Sequence, residues 1–429
     1  MAEERKYWDE GIETMPVDGL RKLQEERLQA LVARAYEKTA LYRRKFDEAG
    51  VKPQDIKTID DLKKLPLTEY LKDFCQTPLS EKMVVPLEEV KVYASTSGTL
   101  SGFTQPIPFT RNDFEKFLDG EGRVRWTMGI RPSDVIQLLH GFHCCPIGIY
   151  NRLGATLVLG HSGRGNMDYQ LGLIPAMGVT VLEHLPSLVL RYFERASEIG
   201  IDIRQTRLRL VFGVGEGWAE SYKKKVVAQY GVPFRTCYGA AETPYGAVEC
   251  EFGGGMHIFG DYSIVEIIDP ETGKPLGPGE EGEVVVTYIG GETVPFIRYR
   301  MGDVARLLPY EPCPCGRTHP KLSMVKGRVA HITKVAGKRI MPIDVEEVVA
   351  ATLGLGDEYQ IVVDKPGELD KLKLKVEYRP EVGDLGALRN QVEEALYRAL
   401  GIESEVELVE MGSIGRALFK VQRLITTYK

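Results

Sequence analysis

Two groups of residues in this chain have types and spacings that suggest chemistry. Residues 96–102, Thr-Ser-Gly-Thr-Leu-Ser-Gly, follow the strand-like run Val-Lys-Val-Tyr-Ala-Ser. Hydroxyls of Ser97 and Thr99 and amides around Gly98 can wrap phosphate oxygens there, because glycine leaves no Cβ to obstruct the approach. The same composition also suits a plain connecting loop. Cys250 and His257 are spaced C-x6-H, and Cys313 and Cys315 C-x-C, with glycine turns beside both. Three thiolates and one imidazole complete a closed tetrahedral zinc site of structural type, with His319 as a spare ligand; the alternative is buried free thiols and an unrelated histidine. A third group, His140, His143, Cys144 and Cys145, could suggest a metal too. Adjacent cysteines on a strand point to opposite faces, so the pattern fits pocket lining or core packing better.

These residues need a large scaffold. The chain has 429 residues, more than one hydrophobic core usually spans, so two or more domains are expected. Its 43% apolar and 27% charged residues are those of a globular protein, and a net charge of −6 argues against a nucleic-acid surface. The first residues are charged and carry no secretory pattern, and no apolar run reaches the length of a membrane span. Seven cysteines in uneven clusters suit reduced thiols, and the expected location is cytoplasmic.

Apolar spacing predicts an amphipathic helix pair over 17–49 that closes at Gly50 and covers another element. Between 90 and 330, strand-like runs at 135–139, 155–160, 179–184 and 208–215 alternate with helical patterns such as 187–200. That alternation predicts βαβ units and a mostly parallel sheet. The run 280–292 reads as a strand or hairpin of a β annex, and beyond 327 the pattern becomes a small α+β unit with helices at 342–353 and 384–400 and a strand at 371–378. Gly215, Glu216 and Gly217 follow an apolar strand and read as a turn into a helix.

Four stretches of the chain occur in the order and spacing of the adenylate-forming ligases. The series is Thr-Ser-Gly-Thr-Leu-Ser-Gly at 96–102, Cys-Tyr-Gly-Ala-Ala-Glu-Thr at 237–243, Ile-Arg-Tyr-Arg-Met-Gly-Asp at 297–303 and Lys-Val-Gln-Arg at 420–423. The chain resembles the phenylacetate–CoA ligase branch of that family over nearly its whole length. The resemblance implies an α/β fold: a large N-terminal domain of several subdomains with parallel sheets and a β annex, 1–327, and a small mobile α+β C-terminal domain, 328–429. It implies an ATP-dependent carboxylate–CoA ligase working through an acyl-adenylate on an aryl, arylacetic or small organic acid. No nucleic-acid or membrane partner is implied; a homodimer is common in the branch.

Residue roles follow from the same resemblance. Ser97, Gly98 and Thr99 would hold phosphates, and Gly215, Glu216 and Gly217 would lie along the purine. Tyr238 and Gly239 would sit at the adenine, and Glu242 would carry Mg²⁺, a hard oxygen ligand for a hard cation. Asp303 would accept the ribose hydroxyl protons, with Arg298 and Arg300 positioning it. Arg328 is a nucleotide-binding position that also marks the hinge, Gly337 and Arg339 approach coenzyme A, and Lys420 reaches the α-phosphate and the substrate carboxylate. His140, His143 and Cys144 fall in the acid pocket, and zinc-carrying members of the branch favour zinc at the cysteine cluster. The chain departs from the family at Leu100, Ser101, Gly102, Ala330 and Phe419, and its wording at 140–148 differs from that usual in phenylacetate ligases. Two rivals are an adenylyltransferase acting on a coenzyme-type acceptor without CoA and a non-catalytic nucleotide-binding protein.

Overall fold

The computed structural model describes residues 5–96, 104–139, 146–159, 167–217, 219–243, 246–415 and 423–428. The strands in chain order begin with β1 Val90–Ser95, β2 Pro106–Thr110, β3 Val135–Leu138, β4 Thr156–Leu159, β5 Val181–His184, β6 Leu210–Gly213 and β7 Phe234–Tyr238. They continue with β8 Ala247–Glu249, β9 Met256–Ile258, β10 Ser263–Ile268, β11 Gly282–Tyr288, β12 Phe296–Ala305 and β13 Lys321–Leu322. The largest sheet has eight strands. It is mixed: β3 and β4 run parallel, joined by the helix Pro146–Leu153, whereas β7, β8, β9 and β13 pair antiparallel in that order. A parallel pair needs such a crossover, which is why helix and strand patterns alternate here. The expectation of a mostly parallel sheet holds for β3–β4 and fails at the β7 end, where short glycine-rich connections make hairpins.

The chain forms two compact units. The first comprises 1–160, 179–181 and 235–324; the second comprises 161–178, 182–234 and 325–429. In the first, β10, β11 and β12 form the expected antiparallel annex. The predicted helix pair is Val17–Lys38 and Ala40–Glu48, and Gly50 has φ +67°, a left-handed conformation glycine adopts at little cost. Leu28, Leu31, Val32, Tyr42 and Phe46 bury against Ile264, Ile289 and Ile297, so the pair covers the annex. Tyr42 pins the start of β12, its hydroxyl accepting from Ile297 N–H at 3.0 Å and donating to the Pro295 carbonyl at 3.1 Å.

In the second unit the remaining strands are β14 Gly327–Arg328, β15 Thr333–Val335, β16 Lys338–Ile340, β17 Leu355–Val363, β18 Leu372–Tyr378, β19 Ser404–Glu410 and β20 Leu424–Thr426. Their four-stranded sheet has the order β19-β18-β17-β20. Helices Pro342–Ala351 and Leu385–Leu400 contribute Val345, Val348, Val349, Leu388, Val392 and Leu396 to its core. Glu346 and Glu347 of the first of these accept from the backbone amides of Ala219, Glu220 and Ser221, the amide-rich start of helix Glu220–Tyr230.

Candidate active site

The two carboxylates singled out by sequence both bond to tyrosines, and both bonds involve β12. The Tyr238 hydroxyl, at the end of β7, donates to Asp303 Oδ2 at 3.0 Å. The Tyr299 hydroxyl donates to Glu242 Oε1 at 3.2 Å. The geometry of β12 makes this reach feasible. Its register against β11 slips twice, between Tyr288↔Phe296 and Val286↔Tyr299, and again between Val285↔Arg300 and Glu283↔Val304. The slips coincide with left-handed residues, Arg298 at φ +45° and Gly302 at φ +71°. Bulges of this kind bend a strand and re-aim side chains, and Asp303 follows Gly302 in the second of them. Arg298 has a side chain and still takes the left-handed conformation, which costs of order 1–3 kcal/mol and must be offset by its surroundings.

Those surroundings are ion pairs. The Arg298 guanidinium donates to Glu266 at 2.9 and 3.1 Å and to the Leu65 carbonyl at 2.7 Å. Arg300 is paired with Glu283 and the Pro270 carbonyl. These bonds of the two arginines go to Glu266, Glu283 and backbone carbonyls. The influence of Arg300 is indirect: Glu283, held by Arg300, also accepts from the Gly302 amide at 3.2 Å, next to Asp303. Sequence supplies the charges but not their partners, since Glu266 and Glu283 lie on other strands.

Sequence reading missed Tyr299. Its ring packs edge-on against Phe74 and Phe296, with centroids 6.0 and 5.2 Å away. Burial, and then the Glu242 charge, push its hydroxyl well above the ordinary phenol range, so it stays a neutral donor. A tyrosine inside a motif full of charges was the available signal. Tyr238 has its own accommodation: a Cβ on Gly246 would come within 2.5 Å of the Tyr238 carbonyl and 2.9 Å of its ring. Tyr238→Phe keeps that packing and removes one donor to a carboxylate. The expected result is a rise of about 5-fold in KM for ATP with little change in kcat, measured by steady-state kinetics.

The first unit thus holds Tyr238, Gly239, Glu242 and Asp303, and the second holds Gly215, Glu216, Gly217, Arg328, Gly337 and Arg339. Gly215 is exposed at φ +84°, and Glu216 accepts from the Ser187 hydroxyl at 3.0 Å. Gly217 has a packing reason to be glycine, because a Cβ there would lie 2.2 Å from the Val325 carbonyl oxygen. Arg328 ends β14, and Ala330 lies in the short turn Val329–His331 that follows. Ala336 at φ +46° and Gly337 at φ +80° form the two-residue turn of the β15–β16 hairpin, with exposed Arg339 two residues on. Ser97, Gly98, Thr99, His140, His143, Cys144 and Lys420 lie outside the described residues.

The cysteine cluster comes together in the first unit. The β8–β9 hairpin sets Cys250 near His257, and a loop held by Gly316 at φ +86° brings in Cys313 and Cys315. The four ligand atoms lie within 4.8 Å of one another and all four residues are buried. Cys250 and Cys313 sulfurs are 3.7 Å apart, and Cys315 Sγ is 3.3 Å from His257 Nε2. The other imidazole nitrogen, Nδ1, faces the His319 carbonyl at 3.4 Å, which turns Nε2 toward the thiols. His319 is not the spare ligand. Its ring lies against the Gly260 amide and the Ile12 carbonyl instead. Hydrogen bonding from Cys250 first, then His257 and the Arg317 amide, holds the Cys315 thiol far below the ordinary thiol range, while Cys250 is pushed up by the same contact and by burial.

Comparisons with known proteins place the whole chain in a family. The AMP-binding enzyme family matches residues 126–292, and the AMP-binding enzyme C-terminal domain matches 337–427. A phenylacetate-coenzyme A ligase from Thermus thermophilus is 32% identical over 95% of this chain and 96% of its own length, and one from Escherichia coli is 32% identical over 96% of each. A crystal structure of 2-hydroxyisobutyryl-CoA ligase in the postadenylation state with 2-HIB-AMP has a TM-score of 0.90 at 26% identity, covering 99% of this chain and 93% of that one. Full-length identity, the matching fold and the motif order converge: the chain belongs to the phenylacetate–coenzyme A ligase family of AMP-binding enzymes and is an AMP-forming acid–CoA ligase that works through an acyl-adenylate.

Proposed function

We propose that the acid this ligase activates is an aryl, arylacetic or other small organic acid, and that the carboxylates joined by β12 handle the nucleotide. The observation that carries this reading is the tethering of Asp303 to Tyr238 and of Glu242 to Tyr299, at 3.0 and 3.2 Å, by residues four apart on one strand. Asp303 accepts the ribose hydroxyl protons, and Tyr238 stacks at the adenine. Glu242 offers an oxygen for Mg²⁺, which when bound neutralises phosphate charge. Ser97, Gly98 and Thr99 cradle phosphate oxygens, and Lys420 neutralises charge as the acid's carboxylate attacks the α-phosphate and pyrophosphate leaves. In the second half-reaction the domain 328–429 turns at Arg328, removing Lys420 and presenting Gly337 and Arg339 to coenzyme A, whose thiol attacks the mixed anhydride, breaking the acyl–phosphate bond to give the thioester and AMP. One centre thereby serves two geometries.

The substrate class rests on relatives that act on phenylacetate and on 2-hydroxyisobutyrate, together with the distinct wording at His140, His143 and Cys144. The cysteine cluster binds zinc. Zinc–sulfur bonds of about 2.3 Å in a tetrahedron place sulfurs about 3.8 Å apart, and the Cys250–Cys313 separation of 3.7 Å supports that occupant. No position is left for a substrate, so the metal is structural. Among the described residues no helix is long and apolar enough to cross a membrane.

The test is carboxylate-dependent exchange of labelled pyrophosphate into ATP over a panel of aryl, arylacetic, hydroxy and short-chain acids, with and without coenzyme A. Exchange with one acid class, and AMP release that requires coenzyme A, is the expected result. Silence across the panel with ATP binding intact would overturn the substrate assignment.

A further inference from the structure

Glu377 is a fully buried carboxylate with no part in the chemistry above. It sits near the end of β18, beside Val409 of the parallel strand β19. The chain leaves β19 at Glu410 and turns, with the Ser413 amide bonded to the Glu410 carbonyl at 3.0 Å and Gly412 at φ +87°. Across that turn, Glu377 Oε1 accepts from two backbone amides, Gly412 at 2.8 Å and Ile414 at 2.9 Å. Its second oxygen is also buried and has no hydrogen-bond partner among the described residues. Space for the crossing is cleared by Gly356 on β17, where a Cβ would lie 2.8 Å from Met411 Sδ and 3.1 Å from Glu377 Cβ. Burying a carboxylate in a sheet core is costly, and an apolar residue would fill the same position without that cost.

The gain becomes visible farther along the chain. Lys420 lies six residues beyond Ile414, and Arg423 three residues beyond Lys420. Arg423 is itself anchored on β17. Its guanidinium donates to Glu358 at 2.7 Å and lies over the Tyr359 ring at 4.3 Å, and its carbonyl accepts from the Ile361 amide at 2.7 Å. Tyr359 pairs directly with Val376, the neighbour of Glu377, so both anchors sit side by side on adjacent strands. On either side of Lys420 in the sequence, Ile414 and Arg423 are therefore held at neighbouring points of the sheet. Fixing both ends of a short segment removes most of the conformations it would otherwise sample.

We propose that Glu377 is a positioning residue for the ligase reaction: it clamps the entry to the Lys420 segment through the Gly412 and Ile414 amides, opposite the Arg423 anchor at the exit. The proposal rests on the assignment of Lys420 to adenylation. Lys420 serves the first half-reaction only, so losing the clamp should separate the two half-reactions, whereas general damage would lower both.

The test uses the full-length enzyme with an acid that supports exchange. In Glu377→Leu, pyrophosphate exchange is expected to fall roughly 10- to 100-fold, while thioester formation from a chemically made acyl-adenylate and coenzyme A stays within about 2-fold of the parent. Hydrogen exchange at the Gly412 and Ile414 amides should speed about 10-fold or more. Glu377→Gln, which keeps an acceptor oxygen, should recover part of the pyrophosphate exchange. Equal losses in both half-reactions, or unchanged pyrophosphate exchange once the two amides have lost protection, would overturn the proposal. Lys420→Ala is measured alongside. Loss there with none in Glu377→Leu removes the Glu377 proposal alone, and no loss in Lys420→Ala removes the reading beneath it as well.

Discussion

Lys420→Ala is expected to lower carboxylate-dependent pyrophosphate exchange by about 10²–10³-fold, the cost commonly seen when one charge-stabilising donor is removed from a transition state. The reasoning concerns where charge develops. As the acid's carboxylate attacks, negative charge builds on the α-phosphate oxygens, and a lysine ammonium there stabilises the transition state more than the bound ATP. ATP affinity should therefore change little and the loss should appear in kcat. Thioester formation from a supplied acyl-adenylate should survive, because the phosphate bond has already been made. Lys420→Arg keeps the charge on a larger, planar group and should recover only part of the rate. An Ala variant that exchanges pyrophosphate at the parental rate would remove Lys420 from the proposed mechanism.

The second large effect concerns stability. If the proposed zinc is bound, Cys315→Ser should release it and lower the melting temperature by roughly 10 °C, taking a few kcal/mol of lost metal-linked folding energy at about 2–4 °C per kcal/mol for a large domain. The damage should reach the chain's beginning, because residues 313–319 hold the N-terminal segment. The Tyr7 hydroxyl donates to the Cys315 carbonyl at 3.0 Å, Arg317 Nε to Glu13 at 2.6 Å, and the Thr318 hydroxyl to the Met15 carbonyl at 2.5 Å. Limited proteolysis of the variant should therefore cut first within 5–16, before the helix Val17–Lys38. Metal analysis of the parent should return about one zinc per chain, as the four-ligand set requires. A metal-free parent, with a variant that melts unchanged, would mean that the cluster is four packed side chains and nothing more.

Local patterning carried much of the architecture. The helix pair before Gly50, the run of strands at 135–138, 156–159, 181–184 and 210–213, and the strand at 372–378 all appear close to where spacing placed them. Each depends on the apolar and polar pattern of its own segment, and such signals are written in consecutive residues. The antiparallel half of the large sheet was harder to read. The short strand β8, Ala247–Glu249, is buried throughout and so shows no alternation.

For the site, the sequence determined which residue types are available and in what order: the Ser-Gly-Thr loop, Glu242, Asp303, Lys420 and the three cysteines with His257. Only the tertiary structure decided how the described ones are held. It tied Asp303 to Tyr238 and Glu242 to Tyr299, set Arg298 and Arg300 on Glu266 and Glu283, excluded His319 from the cysteine cluster, and placed Glu377 against the amides ahead of Lys420. The reason is physical. Hydrogen bonds and ion pairs act over about 3 Å of space, and their partners here lie tens of residues apart along the chain. Which donor meets which acceptor is set by strand register and bulges, where a slip of one residue turns a side chain to the opposite face.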